Sequence, residues 1–194
     1  MSMLLTPENL YPLEEYARIR NEFRNKVMKH KVRRRLPLGP CATLYFEDRL
    51  TMQYQVQEML RLERIFEPEK IQEELAVYNP LIPNGSNWKA TFMLEYQDVA
   101  ERRAALARLI GVEKAIWIQV KGFDKVHPIA NEDLDRQTAD KTSSVHFLRF
   151  ELTPEMIAAI KRGEALRAGI EHAAYHAETD VPQPVRDSLV ADLR

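Results

Sequence analysis

The sequence predicts an α+β domain with a mainly antiparallel sheet, and three observations lead to this fold class. Apolar and polar residues alternate over 88–96 and 144–152, as they do in half-buried strands. Each of these segments is followed by a helical pattern and then by another strand pattern. Long amphipathic helices precede them. Two strand–helix–strand units in succession favour a ferredoxin-like sandwich or a variant of it, with the N-terminal helices packed on the sheet.

The N-terminal part, about residues 1–87, is predicted to be mostly helical. Pro12 suits the first turn of a helix, Asp48 suits an N-cap, and Pro68 pushes the residue before it out of helical geometry. The loop over 79–85 is rich in apolar residues and is expected to pack back on the domain rather than to bind a ligand. The predicted elements are helices over 12–32, 48–65 and 68–78 and a strand over 43–46.

The second part, about residues 88–176, carries the two strand–helix–strand units. Gly111 and Gly163 are positioned to end helices, and Pro154 occupies a first helical position. The insertion over 121–143 is long for a loop and is interpreted as either functional or disordered. The predicted elements are strands over 88–96, 115–120, 144–152 and 166–175 and helices over 97–110, 153–163 and 182–193. One domain over 1–194 is expected.

Composition and charge exclude several classes of protein. The chain has 194 residues, a net charge of −1 and a single cysteine, Cys41, so an intramolecular disulfide is impossible. No apolar run approaches the ~20 residues that a membrane-spanning helix needs. The N-terminus lacks the pattern of a signal peptide. A cytoplasmic protein without a membrane partner is expected, with Cys41 as a buried inert thiol or, if basic residues fold over it, a nucleophile.

The helix over 48–65 carries the first candidate site residues. On a helical wheel, Glu63 falls within an apolar face and Gln55 lies at its edge. Two interpretations stay open: Glu63 pairs with an arginine or lies at a wet edge, or it is a carboxylate held in a cleft for proton transfer or metal binding. Glu58 and Arg61 are spaced for a surface pair and remain weaker catalytic and binding candidates.

Histidines and acidic residues of the second half are candidates for catalysis or metal binding. His172 and His176 would share a metal ion on a helix, but on the predicted strand they lie about 13 Å apart, too far for one ion. His172 is kept as a catalytic candidate. The acidic loop could supply oxygen ligands, although its spacing matches no calcium loop and a solvated loop is the default. Its candidate metal ligands are His127, Glu132 and Asp133, with Asp135 as a further acidic residue.

A basic segment over 26–35 ends the first helix and continues beyond it. Cations complement the dipole at the C-terminus of a helix, so a solvated helix end is one interpretation. A patch for phosphate, RNA or an acidic partner is the other, although no interleaved aromatic residues or nucleic-acid motif supports it. Nucleic acid is therefore not the expected partner. The candidate anion ligands are Lys31, Arg33, Arg34 and Arg35, and separate binding candidates are Tyr78, His146 and Tyr175.

Three segments carry a resemblance to a known family. They are FEDRLTMQYQVQEMLRLERI from Phe46 to Ile65, YNPLIP from Tyr78 to Pro83, and KTSSVHF from Lys141 to Phe147. Together they resemble a bacterial family known only as domain of unknown function 3501. The resemblance spans nearly the whole chain and implies a bacterial source and a redox or peroxide-stress setting beside rubrerythrin-like and iron–sulfur proteins. It assigns no catalytic residue.

Three functions remain as hypotheses. The first is a non-enzymatic accessory or ligand-binding protein, with a protein partner in a redox system, because no recognisable catalytic constellation is present. The second is a metal-binding protein or metal-dependent enzyme that uses the carboxylates and histidines named above. The third is anion or nucleic-acid binding through residues 26–35. The sequence identifies no cofactor.

Overall fold

The computed structural model describes residues 4–133, 136 and 138–194, so Asp135 of the acidic loop lies outside the described residues. The helices are α1 (Leu13–Val32), α2 (Arg49–Glu63), α3 (Pro68–Tyr78), α4 (Val99–Arg108), α5 (Pro154–Arg162) and α6 (Gln183–Val190). The strands are β1 (Arg35–Pro37), β2 (Ala42–Glu47), β3 (Asn87–Leu94), β4 (Ile116–Val120), β5 (Lys125–Val126), β6 (Ile129–Ala130), β7 (Val145–Glu151), β8 (Leu166–His172) and β9 (Tyr175–Asp180). None of the helices in these ranges combines the length and apolar character that a membrane crossing requires.

The strands form two antiparallel sheets, which confirms the α+β class. The first sheet has the order β1-β2-β3-β7-β6 and the second the order β5-β4-β8-β9. Each predicted strand–helix–strand unit therefore sends its two strands to different sheets, because β3 pairs with β7 and β4 pairs with β8. In the first sheet β2 takes the other edge of β3, so that edge is closed to β4.

One core joins the two sheets, and the N-terminal helices form smaller cores of their own. The joint core contains buried side chains from both sheets and from α4, α5 and α6. Within it, the Trp88 indole N–H donates to the Leu189 carbonyl at 2.9 Å and so ties α6 to β3. Helix α2 buries Val56 and Leu60 beside α3, and its other side packs Tyr54 against α1. Helix α2 is thus covered on two sides.

Two segments differ from the sequence prediction. The single strand expected over 166–175 is a hairpin of β8 and β9, with the turn after His172. Strand β9 exposes every second residue and carries charges there, a pattern that apolar periodicity does not detect. The insertion over 121–143 contributes β5 to the second sheet and β6 to the first. In its described part it therefore forms an edge of each sheet.

Candidate functional site

A row of residues crosses the outward face of the first sheet. Glu47, Lys89, Arg149 and Ile129 lie side by side in register on β2, β3, β7 and β6. Lys89 and Arg149 are thus directly opposite each other on neighbouring strands. Like charges in this arrangement destabilise a sheet unless other groups compensate them. The row therefore raises the question of what neutralises each cation.

Arg149 is fully compensated. Its Nε and Nη2 atoms donate to the two oxygens of Glu132 at 2.7 and 2.6 Å, and Nη1 bonds Glu151 on the same strand. The Glu132 hydrogen bonds are the main cause that raises the pKa of Arg149, and the same contact lowers the pKa of Glu132. This is the bidentate geometry in which arginine binds a carboxylate most strongly.

Glu47, the acidic neighbour of Lys89 in the row, is engaged elsewhere. Its side chain is buried, and its two oxygens accept hydrogen bonds from the hydroxyls of Thr51 and Thr91 at 2.6 and 2.7 Å. These bonds attach the start of α2 to the first sheet. They engage both oxygens of the carboxylate, and Glu47 makes no ion pair with Lys89.

Lys89 is left without a partner. In the described part of the chain its ammonium group makes no ion pair and no side-chain hydrogen bond, although the residue is half-buried. Burial, and next the positive charge of Arg149, lower the pKa of Lys89. A desolvated cation beside a second cation costs stability, and such local violations concentrate at functional sites.

Lys89 opens into a groove between the end of α3 and the outward face of β3 and β7. The groove has a volume of about 630 Å³, within the range of small-molecule sites. At its rim, the Arg136 guanidinium lies 4.5 Å above the ring of Phe147 and bonds Asp133. The lining residues are Ala76, Val77, Tyr78, Pro80, Leu81, Lys89, Glu132, Asp133, Arg136, Phe147, Leu148 and Arg149. An apolar wall with one uncompensated cation suits an organic anion.

Three sequence candidates meet in this groove, while Lys89 was missed. Tyr78, Glu132 and Asp133 all line it, although they were selected for different reasons. Glu132 and Asp133 share the groove but are bonded to arginines, whereas His127 does not line it and bonds the Ile116 carbonyl. Within the described ranges no three His, Cys, Asp or Glu side chains come together as a metal site requires.

The predicted anion patch is not a continuous surface, because Arg34 is buried. Arg34 is 2% exposed, and its guanidinium donates to the carbonyls of Phe46 and Glu47 at 2.9 and 3.0 Å. It also pairs with Asp192 at 2.5 Å and with Asp48 at 3.4 Å. The expectation that Arg34 binds a surface anion is wrong, since the chain itself supplies every acceptor. The other members, Lys31, Arg33 and Arg35, remain at least partly exposed.

The pKa values of the two carboxylates beside Arg34 are shifted in opposite directions. Burial, reinforced by the charge of Asp48, raises the pKa of Asp192 to about 6. Burial acts on Asp48 in the same sense, but Arg34, the Thr51 amide and His30 together hold its pKa below the usual value. His30 lies 2.5 Å from Asp48. Both carboxylates border a cavity of about 770 Å³ near the C-terminus.

Helix α2 places its charged residues differently from the sequence prediction. Glu63 is exposed at the C-terminal end of the helix, which agrees with the interpretation of a wet edge and contradicts that of a carboxylate held in a cleft. Arg64 has a left-handed backbone conformation and ends the helix. The residues after it therefore do not extend the predicted apolar face. Gln55 is half-buried, and the fully buried amide is instead that of Gln57, which bonds the backbone of Tyr11.

Glu58 forms a network rather than a simple surface pair. It accepts hydrogen bonds from Tyr16 at 2.7 Å and from Arg20 at 2.8 Å through two guanidinium nitrogens. Arg61 adds a third contact at 3.2 Å. The Arg20 hydrogen bonds are the largest cause that lowers the pKa of Glu58 to about 2. The network joins α1 to α2.

Two histidines and a tyrosine that were singled out hold backbone in place. His172 Nδ1 accepts from the Ala174 amide, so Nε2 carries the proton and donates to the Ile110 carbonyl at 3.1 Å. Tyr175 donates to the Leu38 carbonyl at 2.7 Å.

His146 is fully buried, and burial lowers its pKa. Its ring nitrogens lie 3.0 Å from Asn131 and Thr142. The geometry supports a structural role for each of these three residues.

The comparisons with known proteins point in one direction. The comparison with curated proteins gives no match. A solved structure described as a "novel protein of unknown function" from Burkholderia pseudomallei K96243 is similar, with 46% sequence identity and a TM-score of 0.94. The match covers 99% of this chain and 100% of that one. The family model described as "Protein of unknown function (DUF3501)" matches residues 4–193, and the chain belongs to that family.

Proposed function

We propose that this protein binds a small amphipathic carboxylate in the groove beside Lys89. The observation that carries the proposal is the unpaired ammonium of Lys89, set directly opposite Arg149 and at the wall of an apolar groove. A bound carboxylate would supply the missing counter-charge and remove the repulsion between the two cations. The protein is then a ligand-binding protein whose site is completed by its ligand.

The composition of the groove supports a ligand with an apolar tail. Val77, Tyr78 and Phe147 present apolar surface on its walls, and Val77 is 64% exposed without a ligand. Burying such surface contributes about 25 cal/mol for each Å² removed from water. The acidic groups of the rim bond Arg136 and Arg149 and make no ion pair with Lys89; Glu132 acts on Lys89 only through its charge, and the pKa of Lys89 is lowered nonetheless.

Titration calorimetry with octanoate tests the proposal. We expect octanoate to bind, and Lys89→Gln to weaken binding at least about tenfold, because a charge-assisted hydrogen bond is lost. Octanamide, which lacks the charge, should bind wild type and Lys89→Gln alike. Lys161→Gln removes an exposed lysine on α5 and is the matched control. Equal affinity of wild type and Lys89→Gln for octanoate would refute the proposal.

The other hypotheses remain predictions with less geometric support. For the metal hypothesis, no group of three metal-ligating side chains is found among the described residues. For the anion hypothesis, Arg34 of the basic segment is buried. The redox setting and its protein partner rest on the family resemblance alone. The immobilised full chain can be used to capture partners under conditions in which it still binds octanoate. If no redox protein is recovered, that setting is contradicted.

A further inference from the structure

We propose that Lys89 is a nucleophile that condenses with the carbonyl group of a 2-oxo acid bound in the groove, forming an imine. This inference rests on the proposed function and specifies its ligand class. It uses the same groove and the same pair of opposed cations. A 2-oxo acid carries a carboxylate and a carbonyl on adjacent carbons, so the group that attracts the ammonium of Lys89 and the group that its neutral amine attacks are one bond apart.

The distribution of counter-charges leaves Lys89 able to react. A lysine held by a carboxylate stays protonated and has no free electron pair. In the groove the carboxylates are taken by arginines: Glu132 by Arg149 and Asp133 by Arg136. Lys89 alone among these three cations has no acceptor in the described part of the chain. A desolvated lysine beside another cation is a recognised arrangement for activating the amine.

The environment of Arg149 favours the same assignment. Arg149 keeps its positive charge firmly, because Glu132 and Glu151 raise its pKa, whereas burial and Arg149 lower the pKa of Lys89. The two neighbouring side chains therefore differ in protonation: Arg149 stays charged, whereas Lys89 loses its proton more readily. Arg149, whose guanidinium nitrogens bond Glu132 and Glu151, stays charged beside Lys89, and its charge favours the neutral amine of Lys89.

The condensation balances without an oxidant or a reductant. The electron pair of Lys89 Nζ adds to the carbonyl carbon and gives a carbinolamine. The former carbonyl oxygen then leaves as water, which carries the two hydrogens that the neutral amine loses. A C=N bond takes the place of the C=O bond. Hydrolysis reverses the reaction, so the ligand is held covalently but reversibly.

Reductive trapping tests the inference on the full chain. Wild type, Lys89→Arg and Lys161→Gln are incubated with 2-oxooctanoate and cyanoborohydride, which reduces an imine to a stable amine, and adducts are located by peptide mass spectrometry. We expect an adduct at Lys89 in wild type and Lys161→Gln, severalfold above exposed lysines such as Lys26, because the lowered pKa of Lys89 leaves more of its amine neutral. Octanoate in excess should suppress it.

Lys89→Arg separates the nucleophile from the cation. It keeps the positive charge but has no amine that can condense with a carbonyl group, so it should give no adduct at position 89. Labelling of Lys89 no greater than that of Lys26 and Lys161 would overturn the imine while octanoate binding upheld the groove. Trapping at Lys89 without octanoate binding would uphold the nucleophile and refute the proposed function.

Discussion

Two buried or half-buried cations, Arg34 and Lys89, lie in contrasting surroundings. Arg34 is surrounded by acceptors from β2, α6 and the C-terminal residues, and its guanidinium is saturated. Lys89 lies on the outward face of the neighbouring strand with no acceptor among the described residues. The first arrangement stabilises the fold, and the second leaves an electrostatic cost, which lowers the pKa of Lys89. The same chemical type is therefore saturated with acceptors in one region and makes no direct ion pair among the described residues in the other.

Removing Arg34 tests the structural half of the contrast and should have the largest effect. Arg34→Met leaves Asp48 and Asp192 without their guanidinium, and breaking a buried pair in this way costs about 3–5 kcal/mol. Urea unfolding measures the loss in the free energy of unfolding. The exposed neighbour Arg33 is the control, since Arg33→Gln should change that free energy by less than about 0.5 kcal/mol. A similar small change for Arg34→Met would remove the contrast.

Asp192 predicts how the Arg34 cluster responds to pH. Its pKa rises from 3.8 to about 6 on folding, so between these values the folded chain holds a proton that the unfolded chain releases. The free energy of unfolding should therefore fall as the pH rises from 4 to 6, by about 2 kcal/mol from this group. Asp192→Asn should remove that part of the pH dependence. Parallel stability profiles of wild type and Asp192→Asn would contradict the assignment.

Glu58 should have an intermediate effect, because its network is only partly shielded from water. Glu58→Gln removes the charge that holds Tyr16 and Arg20, and we expect a loss of about 1.5 kcal/mol in the free energy of unfolding. Glu63→Gln, at the exposed end of the same helix, is the matched control and should be neutral. If Glu63→Gln proved the more costly variant, the described end of α2 would be incorrect.

Removing Lys89 should have the smallest effect on stability and the opposite sign. Lys89→Gln relieves the repulsion from Arg149, so the free energy of unfolding should rise by about 0.2–1 kcal/mol in the absence of ligand. Thermal unfolding at low ionic strength is the measurement. Salt should narrow the difference because it screens a half-exposed pair. A clear loss of stability would show that Lys89 has a structural partner.

Local sequence signals predicted the elements better than the site. Helix α3 and the beginning of α2 follow from Pro68 and from Asp48, which accepts the Thr51 amide as an N-cap should. Glu63 was misplaced because a helical wheel assumes that the helix continues, and Arg64 ends it. Lys89 could have been found as a lysine in the middle of a strand with buried neighbours. Its lack of a partner could not, because that depends on Glu47, Thr51 and Thr91.

The sequence by itself determined the α+β class, most helix and strand positions and the family, since these depend on periodicity, caps and recognisable segments. Tertiary structure decided the division into two sheets and which charged side chains are paired with one another. Strand pairing sets which side chains lie opposite one another, as with Lys89 and Arg149. Long-range contacts then decide which charge is compensated, as when Asp192 reaches Arg34 across 158 positions of the chain. Electrostatic energy depends on distance and burial in space, which the order of residues does not specify.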